Sequence, residues 1–283
     1  MRKLFLSVGK IVLFLLVWGG LDAVVIFGAQ KFGGADWFNS PELRIRLECA
    51  LAAAALATLA VMAILVDRRG WRTLGLNPDQ APSGFFGGTL IGGSILLVPI
   101  GILFVGGYAQ VQPDLSRQSP LSILLPLGIV FFNVIQQELL VRSYMFQELW
   151  QKYSAALATC VTTVIFVGLH AGALSHDVVG LIGASNLALA SLLLSLAYVR
   201  TRALWLPIGI HFGWNGVLGP VLGLSVTGTD LSGGHAHAFS IGGPALWTGG
   251  KLGVEGGLAG LAGPIVGILI VWVFFRPRSP DAA

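Results

Sequence analysis

The sequence predicts an all-α fold: a polytopic bundle of about eight transmembrane helices with both termini in the cytoplasm. Three observations carry that expectation. The 283-residue chain is 55% hydrophobic and only 11% charged, with a mean hydropathy of +0.81, whereas a soluble domain carries roughly a quarter charged residues. Apolar runs long enough to cross a bilayer at 1.5 Å per helical residue recur along its length. The basic residues fall unevenly between the alternate connections, which orients the bundle.

Taken in order, the expected spans are Leu4–Phe27, Leu47–Val66, Phe85–Val105, Leu121–Trp150, Ala155–Ala171, Val178–Val199, Leu204–Val226 and Leu258–Phe275. The opening MRKLFLSVGKIVLFLLVWGG has basic residues before an apolar core, as a signal peptide does. Its apolar stretch runs past Val25 without a small-residue cleavage site, so a retained first span is expected. One set of connections collects Arg2, Lys3, Lys10, Arg68, Arg69, Arg72, Lys152, Arg200, Arg202, Arg276 and Arg278. The opposite set holds Lys31, Arg44, Arg46, Arg117 and Lys251, which places both termini inside. The segment WRTLGLNPDQAPSG has turn chemistry at Asn77-Pro78 and Pro82-Ser83-Gly84 and is expected along the inner surface. The last external loop, Thr227–Gly257, is too rich in glycine to hold a regular helix through its middle.

With no internal repeat and no linker, residues 1–283 read as a single integral membrane domain. The net charge of +4 is spread singly or in pairs between apolar runs, which excludes a nucleic-acid-binding stripe. Cys49 and Cys160 lie within apolar runs and read as buried small hydrophobes, not as a disulfide framework or thiolate metal site.

Polar residues in the spans point to function, because an ionisable group at the bilayer centre costs roughly 2.5–3.5 kcal/mol on insertion scales. The fourth span holds Asn133, Gln136, Gln137, Glu138 and Arg142, with Glu138 and Arg142 on one helical face within ion-pair reach. Taken alone, that pair equally suits a structural tie that keeps helices in register. The fifth span ends in FVGLH, and the seventh carries HFGWN, with His211 and Asn215 on one face. A single histidine in a span is usually a packing residue. Two histidines, an asparagine and a glutamate on three helices predict one polar pocket in the membrane, wetted from one side.

At these residues the sequence resembles the CPBP family of intramembrane proteases, which includes CAAX proteases and bacteriocin-processing Abi proteins. The family's E-E-x-x-x-R, F-x-x-x-H and H-x-x-x-N motifs read here QELLVR (Gln137–Arg142), FVGLH (Phe166–His170) and HFGWN (His211–Asn215), in that order. The motif-bearing core spans about 121–226, and the LGL segment near Leu74 and the WTGG...EGG stretch also look like family members. The resemblance implies peptide-bond hydrolysis inside the bilayer on membrane-embedded or membrane-adjacent polypeptides. It implies that a glutamate and His170 activate water, that His211 and Asn215 form an oxyanion hole and that Arg142 pairs with Glu138. A multipass protein of a bacterial plasma membrane is expected.

Gln137 stands where the family has its first glutamate, the usual base, and a carboxamide cannot take a proton. Three readings follow: Glu138 or His170 serves as base while Gln137 orients the water, the chain cleaves weakly, or it is a pseudoprotease acting as a membrane scaffold or immunity protein. A small transporter is a further rival, opposed by the missing inverted repeat. No cofactor is expected. Zinc held by Glu138, His170 and His211 is the alternative, though no H-E-x-x-H is present. His235 and His237 read as exposed loop residues.

Overall fold

The computed structural model describes residues 2–33, 40–68, 70–111, 120–231 and 239–277. Its long helices are α1 (Arg2–Gly33), α2 (Pro41–Ala60), α3 (Ala81–Val105), α4 (Pro120–Glu138), α5 (Met145–Lys152), α6 (Ala155–Leu169), α7 (Val178–Thr201) and α8 (Trp205–Gly216). A single turn, α9 (Ala245–Thr248), and the last helix, α10 (Ala262–Phe274), complete the helices described. Five helical stretches are long and apolar enough to cross a membrane: Phe5–Phe32, Pro41–Val66, Pro78–Val105, Ile123–Lys152 and Val178–Thr201. Ala155–Leu169 and Leu258–Phe274 are shorter apolar helices. The chain is therefore a helical membrane bundle, and phenylalanine, leucine and valine side chains along its outside are exposed as lipid-facing positions should be.

Several expected boundaries move. The second span starts at Pro41 instead of Leu47, which brings Arg44 into the same helix as Glu48. Proline favours the first helical turn, and Arg44 Nε donates to Glu48 Oε1 at 2.8 Å one turn on. The seventh expected span, Leu204–Val226, is shorter than read. After α8 the chain makes a π-helical stretch, Val217–Val221, and turns at Gly223 with φ +70°. Pro220 lies in that stretch, and its missing N–H ends the regular ladder. The expected fourth span is one continuous rod in which a π stretch, Leu139–Tyr144, joins α4 to α5. The short QKYS connection does turn the chain, since Ser154 Oγ accepts from the Leu157 N–H and caps α6. Cys49 and Cys160 are exposed, not buried. Their runs are apolar all round, so sequence marks them as membrane-embedded without telling a lipid-facing position from a protein-facing one.

The glycine-rich segment is tied down without long helix. Its strand β2 (Phe239–Ile241) pairs antiparallel with β1 (Ala109–Val111), Ala109 opposite Ile241, and 3₁₀ turns run from Gly250 to Leu261. His235 and His237 lie outside the described residues. The LGL segment docks on the start of α8: Leu74 is fully buried, Gly75 O accepts from the Leu204 N–H at 2.8 Å, and Asn77 O accepts from Trp205 Nε1 at 2.8 Å.

Two packing features position the site. Helix α8 lies backbone to backbone against α3: a Cβ on Gly92 would fall 2.1 Å from Ile210 O, and one on Gly213 would fall 2.2 Å from Thr89 O. Small residues at this spacing let membrane helices approach closely. At one end, α1 is tied to the rod and to α2. Ser7 Oγ donates to Glu148 Oε1 at 2.9 Å, and Lys10 Nζ pairs with Asp67 at 2.5 Å. Arg202, with φ +58° at the end of α7, stacks its guanidinium 3.7 Å over Trp150.

Candidate active site

Glu138 ends α4 and is completely buried. Its Oε1 accepts from Arg142 Nη1 at 2.9 Å and meets His211 Nδ1 at 2.8 Å. Arg142, equally buried, donates from Nη2 to Ser191 Oγ on α7 at 3.0 Å, and Thr163 Oγ1 on α6 donates to the same hydroxyl at 3.0 Å. The i,i+4 pair anticipated from the motif is therefore present, and it extends into a network across four helices. A carboxylate and a guanidinium this deep persist only with such partners. The phenylalanine of FVGLH fills the space between them and the imidazoles. Arg142 sits 4.7 Å over the Phe166 ring, and the His170 and His211 rings lie 4.7 and 6.0 Å from it, centroid to centroid.

His170 caps α6, and its Nδ1 lies 2.8 Å from Phe166 O. A carbonyl can only accept, so Nδ1 carries the proton and, in the neutral ring, Nε2 is left as an acceptor. Asn215 lies one turn beyond His211 on α8, and both are nearly buried. Two cavities meet these groups. The smaller, about 50 Å³, is lined by His170, His211, Asn186, Asn215, Thr227 and Glu255. The larger, about 310 Å³, is lined by Glu48, Asn133, Gln137, His170, Asn215 and Thr227. Glu138 and Arg142 line neither.

The structure thus divides the sequence-derived residues into two groups. Gln137, His170 and Asn215 border the larger cavity, while Glu138 and Arg142 stand behind His211. Adjacent helical residues differ by about 100° in direction, which is why Gln137 and Glu138 separate. Among the described residues, no three histidine, cysteine, aspartate or glutamate side chains cluster as a metal site would require. Of the three residues that zinc would need, Glu138 and His211 are bonded to each other through Oε1 and Nδ1.

Two acidic residues at the site escaped the motif reading. Glu255, in the EGG stretch, accepts from Trp214 Nε1 at 2.9 Å and from the Thr227 N–H and Oγ1 at 2.5 and 3.0 Å. Thr227 has φ +45°, a conformation costly for a β-branched residue, and Glu255 holds it there beside both cavities. Glu255→Ala is expected to leave the Trp214 N–H and Thr227 N–H unpaired and to cost about 1–3 kcal/mol. Thermal unfolding in detergent checks this, and Glu255→Gln, which keeps an acceptor, should lose less. The second is Glu48 on α2. Its signal is R-x-x-x-E (Arg44 to Glu48), the mirror of Glu138-x-x-x-Arg142, split because the expected span Leu47–Val66 holds Glu48 and leaves Arg44 in the preceding connection.

Long apolar helices enclosing a hydrogen-bonded polar site define an integral membrane protein whose buried chemistry is the feature to explain. Residues 119–217 match the family model described as type II CAAX prenyl endopeptidase Rce1-like, a match that supports the likeness to CPBP/CAAX intramembrane proteases over that stretch. That stretch contains all three motifs. No curated protein and no solved structure matches the chain significantly.

Proposed function

We propose that the chain is an intramembrane endopeptidase of the CAAX type, hydrolysing peptide bonds of membrane-embedded or membrane-adjacent substrates. The observation that carries this reading is that His170, Asn215 and Gln137 border one cavity of about 310 Å³, ample for water. There, water held by His170 Nε2 attacks the scissile carbonyl and Asn215 stabilises the oxyanion, with His211 acting from the smaller cavity that His170 and Asn215 also line. The Glu138–His211 bond supports a positioning role for Glu138. With Nδ1–H directed at the carboxylate, the ring is held so that Nε2 points away from Glu138 and is free to meet the substrate. No cofactor enters this mechanism. The charge asymmetry of the connections supports cytoplasmic termini.

The test uses purified protein in detergent with two probes, a farnesylated peptide ending in a CAAX sequence and an apolar transmembrane peptide, products being read by mass spectrometry. Asn215→Ala is expected to lower kcat by about 10²–10³-fold, the usual cost of one oxyanion-hole donor. His170→Ala should be at least as damaging. Equal turnover by wild type and both variants would exclude these assignments. A second reading, a pseudoprotease that binds a partner's helix or confers immunity, is favoured by one residue, Gln137. It predicts a folded wild type that retains peptide without cutting it.

A further inference from the structure

The family pattern places a carboxylate where this chain has Gln137, and the cavity bordered by Gln137 contains a different one. Glu48 projects from α2, is 3% exposed and lines the same cavity as His170, Asn215 and Gln137. Its two oxygens have one partner each. Oε1 accepts from Arg44 Nε at 2.8 Å, and Oε2 accepts from Asn133 Nδ2 at 3.2 Å. Asn133 lies one turn before Gln137 on α4, and its Oδ1 accepts from Gln137 Nε2 at 2.7 Å.

This chain of contacts has a direction. A carboxylate only accepts, so it must face the amide nitrogen of Asn133. The carbonyl of Asn133 is then presented to Gln137 and meets its nitrogen, so Gln137 Oε1 is left as the free end. That oxygen is buried and has no protein partner. The carboxylate of Glu48 thereby sets Gln137 as a hydrogen-bond acceptor, able to orient water but not to take its proton. Glu48 itself keeps a vacant lone pair on each oxygen, since an ionised carboxylate offers about four acceptor sites and two are used.

Three other carboxylates come near the site. Glu138, bonded through Oε1 to Arg142 and His211, lines neither cavity. Glu255 accepts three hydrogen bonds, two of them on one oxygen, and is committed to Trp214 and Thr227. Asp22 on α1 accepts from Gln136 Nε2 at 3.3 Å and lines neither cavity. Glu48 is the carboxylate that combines a place on the larger cavity with spare acceptor capacity.

We infer that Glu48 is the proton acceptor of this enzyme, a carboxylate on the second helix that takes over the task for which Gln137 lacks the chemistry. The inference rests on the hydrolase reading above. As the water oxygen bonds to the scissile carbonyl carbon, Glu48 takes one water proton and negative charge gathers on the carbonyl oxygen. When the tetrahedral adduct collapses, the C–N bond breaks and the Glu48 proton passes to the departing nitrogen. A carboxylic acid and an amine result, and Glu48 is ionised again. The charged or titratable groups around it are Arg44 on its own helix, Asp22 on α1 and His170 across the cavity, while α4 presents the neutral Asn133 and Gln137.

The test measures kcat and KM for the two probe peptides with wild type, Glu48→Gln, Glu48→Asp and the double variant Glu48→Gln/Gln137→Glu, each checked for folding by gel filtration and thermal unfolding. Glu48→Gln is expected to lower kcat by about 10²–10⁴-fold at nearly constant KM and to erase the acid limb of the kcat/KM pH profile. The double variant, with a carboxylate restored at the family position, should recover at least tenfold of that loss. Glu48→Asp, which draws the carboxylate back by about one bond length of chain, roughly 1.5 Å, should lose at least tenfold in kcat even when stable. Should Glu48→Gln not fold, the aspartate variant decides the matter, since an ion-pair role alone would leave its kcat unchanged. Wild-type turnover with equally active Glu48 variants, or a folded double variant that recovers nothing, overturns this assignment and leaves the hydrolase reading standing. A folded wild type that cuts neither probe removes both.

Discussion

Glu138→Ala is expected to destabilise the protein by about 3–5 kcal/mol and to abolish turnover, because it strands Arg142 as a buried, unpaired cation. Arg142 is wholly buried, and its remaining contacts, the Ser191 hydroxyl and the Phe166 face, cannot neutralise a guanidinium. The same change frees His211 Nδ1, so the ring loses the bond that fixes its orientation. Glu138→Gln separates the two effects. A carboxamide oxygen still accepts from Arg142 but cannot accept strongly from Arg142 and His211 together, so a smaller loss of stability should accompany a comparable loss of kcat. Unfolding temperature and turnover measured together on both variants check the prediction. An alanine variant as stable as wild type would mean that water reaches Arg142 and that the pair is not sealed as described.

A second large effect is expected at a residue with no side chain at all. Gly92→Val should separate α3 from α8 and destabilise the bundle by about 3 kcal/mol, the upper part of the usual overpacking range. A first side-chain carbon there would meet a backbone carbonyl, Ile210 O, at 2.1 Å, and backbone cannot rotate aside as a flexible side chain can. Ile210 immediately precedes His211, so displacement moves both the histidine and Asn215. Activity should therefore fall even in the fraction that remains folded, since misplacement by about 1 Å can cost roughly 10²-fold. Gly101, where an added Cβ meets nothing within 4 Å, is the control on the same helix: Gly101→Ala should leave both stability and turnover near wild type.

Much of the fold was legible because its signals are local. The apolar runs of α1, α3, α4 and α7 predict helices near their observed places, and Ser154 and Lys152 bracket a turn that four residues sufficed to announce. The end of α8 was not legible. Its apolar composition continues to Val226, while the turn depends on Pro220 and on Gly223 adopting a positive φ, which hydropathy does not register. The outward positions of Cys49 and Cys160 were hidden for a related reason. In a bilayer both faces of a helix are apolar, so the periodicity that marks a buried face in water is flattened.

At the site, the motif spacing by itself determined that Glu138 reaches Arg142 and that His211 and Asn215 share a face, since one helical turn dictates both. It also determined that the chain belongs in a membrane, because so little charge cannot clothe a soluble surface. Only the tertiary structure decided which of two neighbouring residues borders the cavity, setting Gln137 toward it and Glu138 behind His211. It alone brought Glu48 and Glu255 beside the motif residues from positions 85 and 41 residues away along the chain, measured to their partners Asn133 and Trp214. The physical reason is that spacing along one helix sets direction relative to that helix. The angle at which a helix is rotated against its neighbours is set by packing such as the glycine contact of α3 with α8, which no single segment contains.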